Sequence, residues 1–109
     1  MTTQPYATTA PTRAEVDAMP GTTLIQFGTD WCGHCKAAEP LVNTVLKDYP
    51  NVRHLKIEDG SGRRPGRSFQ VKLWPTLVFL KDGREVTRLI RPARPQEVAE
   101  AFNSIDPAA

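Results

Sequence analysis

The sequence is poor in cysteine, in aromatic residues and in long apolar stretches. Of its 109 residues, only two are cysteine.

 The aromatic complement is two Trp, two Tyr and four Phe. Two thiols close at most one bridge, which excludes a scaffold stapled by disulfides. No apolar run approaches the ~18 residues that a bilayer-spanning helix requires. Neither charge dominates: 14 basic against 12 acidic side chains leave a net charge of +2. That is too little for a dedicated nucleic-acid-binding domain, whose pI usually exceeds ~9. The first twelve residues, MTTQPYATTAPT, hold no Lys or Arg and no apolar block, so they do not read as a secretory leader. What these absences leave is a small soluble protein of a reducing cytosol. Its length suits one domain with a core large enough to fold without staples.

What is present divides into short, well-punctuated segments. Residues 1–11, rich in Thr, Ala and Pro, read as a loosely held arm. Thr12 and Glu15 fit a capping box that opens a short helix, ended by Pro20-Gly21. Thr22–Phe27 is β-branched and aromatic, the pattern of a central strand. After a turn over residues 28–33, a helix is predicted from near Cys32 to about Tyr49, with Leu41, Val42, Val45 and Leu46 on one face and a kink at Pro40. Val52–Ile57 alternates with period two and predicts a strand with one buried face. Asp59–Arg67 reads as a loop, followed by a short helical turn around Ser68–Val71. Thr76–Leu80 predicts a buried strand, and Asp82-Gly83 a hairpin into Glu85–Ile90. Pro95 opens a last helix through Ser104, with Val98, Phe102 and Ile105 toward the core. A helix between the first two strands implies a parallel pair, and the Asp-Gly turn an antiparallel one. The fold class is therefore α/β, a central mixed sheet with helices on both faces.

Both cysteines, Cys32 and Cys35, fall where a strand hands over to a helix. Positions three apart lie on one helical face, ~5–6 Å between Cβ atoms, so the sulfurs can bridge with little backbone movement. The first sits at the helix end, where free N–H groups and the macrodipole favour a thiolate. The second lies one turn inside and is expected to be shielded. An exposed, activated thiol beside a covered one suits a two-step exchange: Cys32 attacks a client disulfide and Cys35 resolves the mixed disulfide. Haem attachment would need His directly after the second cysteine, where Lys36 stands. A zinc site would need four ligands, and Cys32, Cys35, His34 and His54 are the only soft candidates. Two inert core thiols would be the blandest reading, but the Trp-Cys-Gly-His-Cys context suits a core poorly.

Trp31-Cys32-Gly33-His34-Cys35-Lys36 after a strand, Pro40 in the following helix, and Trp74-Pro75-Thr76 before a strand ending in Lys81-Asp82-Gly83 together resemble thioredoxin. The resemblance covers residues 12–105, leaving 1–11 as an amino-terminal arm and 106–109 as a tail. It implies the thioredoxin fold, a cis Trp74–Pro75 bond beside the cysteines, and a client groove formed by Trp31, Gly33, Trp74 and Pro75. It implies a thiol–disulfide oxidoreductase with Cys32 and Cys35 as the catalytic pair and no metal or organic cofactor. The implied partners are disulfide-containing client proteins and a dithiol or disulfide reductase as electron donor, with no nucleic acid or membrane, the chain acting as a cytoplasmic monomer. A thioredoxin-like adaptor or chaperone-type binding module with incidental redox activity is the alternative. Whether the pair reduces, oxidises or isomerises depends on its potential against its compartment.

Four residues depart from the family pattern. His34 replaces the usual proline; an imidazolium beside Cys32 would stabilise the thiolate, hence the reduced form, and make the pair more oxidising. Gln26 stands where the family often has a buried acid that accepts the Cys35 proton. Mixed disulfides are therefore expected to be longer-lived, unless Glu58 or His54 serves instead. Trp74 is larger than the residues common before the proline and would narrow the groove or stack on clients. Arg91 falls near a position that usually holds glycine. Charge is also uneven: residues 53–94 carry 11 basic and 4 acidic side chains, including Arg63-Arg64-Pro65-Gly66-Arg67. That cluster reads as a solvated loop, and Gly60-Ser61-Gly62 lacks the lysine of a phosphate loop.

Overall fold

A computed structural model describes residues 5–60 and 64–106 of the chain. Helix α1 (Arg13–Asp17) leads into strand β1 (Thr22–Gly28), helix α2 (Gly33–Leu46) and strand β2 (Arg53–Glu58). Helix α3 (Arg64–Ser68), strands β3 (Thr76–Lys81) and β4 (Arg84–Ile90), and helix α4 (Pro95–Ile105) complete the order. The four strands form one sheet in the order β2-β1-β3-β4, with β1 parallel to β2 and β3 antiparallel to both β1 and β4.

Local chemistry accounts for most boundaries. Thr12 and Glu15 form the full capping box, each side chain bonded to the other's backbone N–H. The Asp82-Gly83 turn has φ of 51° and 80°, the left-handed pair that matches the twist of a two-residue hairpin. A Cβ on Gly83 would lie 2.1 Å from the Asp17 carbonyl oxygen, so glycine also lets the hairpin pack against α1.

The alternation of the central strands divides the core in two. Leu24, Leu77 and Phe79 meet Val42 and Val45 of α2 and Val98, Phe102 and Ile105 of α4 on one face. Ile25, Phe27, Val78 and Leu80 meet Val16 and Phe69 on the other. Helices thus cover both faces, and β1, flanked on each side, is central as predicted.

Three expectations are corrected. Residues 64–68 are helical where a continuous loop to Arg67 is predicted. Pro65, with its φ preset for a first helical turn, offsets the loop composition. Ser61, Gly62 and Arg63 of the predicted loop lie outside the described residues, as do residues 1–4 and 107–109. Strand β2 is buried on both faces at its end, since Lys56 and Ile57 are both covered. The arm is also less loose than its composition suggests. Tyr6 is buried, and Ala7 adds a parallel bridge to Ile57, donating to the Lys56 carbonyl and accepting from the Glu58 N–H. This bridge satisfies backbone groups on the outer edge of β2.

Candidate active site

Strand β1 ends at Gly28, and four residues later Cys32 caps α2. Its sulfur accepts a hydrogen bond from the Cys35 backbone N–H at 3.2 Å. A side chain at this position satisfies one of the otherwise unpaired N–H groups, and the helix dipole favours negative charge there. Cys35, one turn inside, is 1% exposed against 8% for Cys32. The expectation of an openly exposed first thiol is therefore corrected: Cys32 is the more accessible of the pair but presents only a sliver of surface. Both are free thiols. Burial, and next its interaction with Cys32, push the Cys35 thiol up to about 11, with the Thr29 backbone and Tyr6 acting the other way.

The Trp74–Pro75 bond is cis, and Pro75 is buried at the start of β3. Trp74 packs against the cluster of Tyr6, Cys32 and Cys35. Its indole N–H donates to Asp59 at 2.8 Å, and its ring meets Trp31 edge-on, with centroids 5.6 Å apart. Trp31 is 73% exposed, so a large apolar surface stands beside a nearly covered thiol. Gly33 and His34 are exposed on the first turn of α2.

Beneath the cysteines lies a polar layer. Gln26 is fully buried and uses both ends of its amide: the nitrogen donates to the Tyr6 hydroxyl, and the oxygen meets His54 Nε2, each at 2.9 Å. Burial, then the Lys56 ammonium, lowers the His54 imidazole to about 4, so it is neutral at ordinary pH. His54, one of the two groups named as a substitute base, is thus hydrogen-bonded to Gln26. Lys56 pairs with Glu39 of α2 and lies over the Tyr6 ring, 4.4 Å from its centroid. The soft residues considered for zinc do not converge: among the described residues, no three His, Cys, Asp or Glu are placed to hold a metal. Sequence reading missed Tyr6, Glu39, Lys56 and Asp59. An aromatic in an otherwise small-residue arm and a lysine in an apolar strand were the available signals.

A parallel–antiparallel sheet carrying two thiols one turn apart at a strand-to-helix junction, beside a cis-proline, defines a dithiol–disulfide oxidoreductase. The Thioredoxin family model matches residues 6–104, and the chain belongs to that family. Thioredoxin 2 from Pseudomonas aeruginosa, solved in its reduced form, is 60% identical, with a TM-score of 0.86 over 95% of this chain and 96% of that one. A thioredoxin of Chlamydia trachomatis is 39% identical over 70 residues, 64% of this chain and 69% of the relative. Thioredoxin NaTrxh from Nicotiana alata superposes with a TM-score of 0.71 at 27% identity, over 85% of this chain and 80% of that one. The protein is a thiol–disulfide oxidoreductase with the thioredoxin fold, and its family interacts with disulfide-containing substrates and with reductases. Among the described residues, no helix is long and apolar enough to cross a membrane.

Proposed function

We propose that Cys32 is the nucleophile and Cys35 the resolving thiol in the reduction of client protein disulfides. The observation that carries this is the asymmetry of the pair: the Cys32 sulfur caps α2 and is the more accessible, while the Cys35 thiol is covered and holds its proton more tightly than an ordinary thiol. The Cys32 thiolate attacks one sulfur of a client disulfide, and the other client sulfur leaves as a thiolate. Cys35 then gives up its proton, attacks Cys32 Sγ and releases the second client thiolate. The protein pair is oxidised to a disulfide, and the client disulfide is reduced to two thiols. A reductase of dithiol or disulfide type restores the pair.

In this reading Trp31, Gly33, Trp74 and Pro75 line the client groove. Trp31 offers apolar surface next to Cys32, and the Trp74–Pro75 segment lies where an extended client would run, its Trp74 carbonyl covered by Arg91 Nε. His34 and Gln26 tune the pair. A reducing cytoplasmic setting suits a dithiol that must be regenerated after each turnover.

Dithiothreitol-driven reduction of insulin tests the assignment. Cys32→Ser is expected to abolish it, and Cys35→Ser to accumulate a mixed disulfide through Cys32. An inactive wild type whose client binding survives Cys32→Ser would support the adaptor reading instead.

A further inference from the structure

We propose that Tyr6 is a catalytic residue of the resolving step: its hydroxyl donates a hydrogen bond to the Cys35 sulfur and holds that sulfur as a thiolate while it attacks Cys32. The proposal rests on the reading of Cys35 as the resolving thiol and adds the group that supports it.

The direction of the hydrogen bonds carries the inference. Gln26 Nε2 has only protons to offer, so at 2.9 Å it donates to Tyr6 Oη. The Tyr6 proton is then free to point elsewhere, and Cys35 packs in the same buried cluster as Tyr6. On the far side, Gln26 Oε1 can only accept, so neutral His54 donates to it through Nε2. These two bonds run one way, from His54 through Gln26 to Tyr6, and the proposed bond to Cys35 continues the series, each polarising the next. The amide at position 26, unable to take a proton, instead turns the phenol toward sulfur.

The surroundings fix the phenol in place. A Cβ on Gly28 would lie 2.5 Å from Cys35 Sγ and 2.8 Å from Tyr6 Oη, so the two atoms converge over a backbone with no side chain between them. The Tyr6 N–H donates to Asp30 at 3.0 Å, and Ala7 is bridged to β2. Burial, then the neighbouring Cys35, raises the Tyr6 phenol, so it keeps its proton to donate. The other titratable groups around Tyr6 and Cys35 are Cys32 at the cap of α2, Glu39 on α2, Lys56 on β2 over the Tyr6 ring, and His54 on β2 bonded to Gln26.

No proton need be lost to the phenol. The proton leaving Cys35 ends on the client thiolate released in the first step; the S–S bond between Cys32 and the client breaks as the Cys32–Cys35 bond forms. The client is reduced and the protein pair oxidised, with Tyr6 unchanged.

The test titrates Cys35 as the sole thiol, in a Cys32→Ser background with and without Tyr6→Phe, and times client release in the chain with both cysteines. Loss of the hydroxyl is expected to raise the Cys35 midpoint by about one pH unit and to slow release about tenfold, the scale of one hydrogen bond to an anion. The rate at which Cys32 is alkylated should not change. An unchanged midpoint and release rate in folded Tyr6→Phe would overturn the proposal. Site-specific 3,5-difluorotyrosine at position 6 tests it without removing any atom that packs: a stronger donor should lower the midpoint and speed release, and no change or the reverse overturns it. Failure of the underlying reading looks different, because Cys35→Ser would then release client as fast as the wild type.

Discussion

Lys56 on β2 and Glu39 on α2 form an ion pair under the cysteines, with the lysine side chain almost wholly removed from solvent. The pair ties the active-site helix to the sheet one turn beyond Cys35, and the ammonium also covers the Tyr6 ring. Two charges taken out of water are not of themselves stabilising, because desolvation offsets most of their attraction. Their loss one at a time is another matter.

Glu39→Ala leaves the Lys56 ammonium buried without its carboxylate and is expected to cost about 3–5 kcal/mol in urea denaturation. Glu39→Leu combined with Lys56→Met removes both charges and should recover most of that loss. A single variant within about 1 kcal/mol of the wild type would show that the pair is screened well enough to matter little.

Stability should fall on mild acidification because of His54. Its imidazole titrates near 4 in the fold and near ~6.5 in an unfolded chain. Between these values the unfolded chain binds a proton that the folded one does not, so the stability held at neutral pH is lost as pH drops below about 6.5. The loss levels off below about 4 and totals roughly 3 kcal/mol. His54→Asn keeps a donor for Gln26 and cannot titrate. Urea unfolding between pH 7 and pH 4 should show a flatter profile for the variant, and equal slopes would contradict the assignment.

Arg91 holds a left-handed backbone, φ 52°, while its Nε donates to the Trp74 carbonyl at 2.9 Å. Such a conformation costs a side-chain-bearing residue on the order of 1 kcal/mol and glycine almost nothing. Arg91→Gly should match or exceed wild-type stability, whereas Arg91→Val should lose about 1–3 kcal/mol. Removing the guanidinium also frees the Trp74 carbonyl for an incoming strand, so Arg91→Gly is expected to lower KM for insulin with kcat unchanged. A higher KM would mean that the arginine assists docking.

The contrast between what was and was not legible follows the range of the interactions. The Thr12–Glu15 box, the Asp82-Gly83 turn and the alternation of β1 and β3 are decided within a few residues, so the sequence carries them openly. Cys32 and Cys35 were readable as a pair for the same reason. The helix at 64–68 was missed because Gly and Arg around Pro65 outweighed its preset φ. Tyr6, Gln26 and Lys56 come together only when an arm crosses the edge of β2 and α2 closes over the sheet. No local pattern marks that meeting. Without the family resemblance, Trp74-Pro75 would have read as an ordinary strand start, since nothing adjacent to it in sequence requires a cis bond.

His34 offers a test of how the exposed face of α2 sets the equilibrium of the cysteine pair. It occupies the second position of the helix, where proline is well tolerated because the missing N–H has no partner within the helix. His34→Pro should therefore fold normally, with a thermal midpoint close to the wild type. An imidazole one residue from Cys35 and two from Cys32 would, whenever it carries charge, favour the thiolate form of the pair, and so the reduced state. Its removal is expected to make the protein more reducing in glutathione buffers. For a two-electron couple each tenfold change in the equilibrium constant is about 30 mV, which sets the resolution the measurement needs. An unchanged potential in the proline variant would mean that the histidine is solvated too well to act on the thiolate.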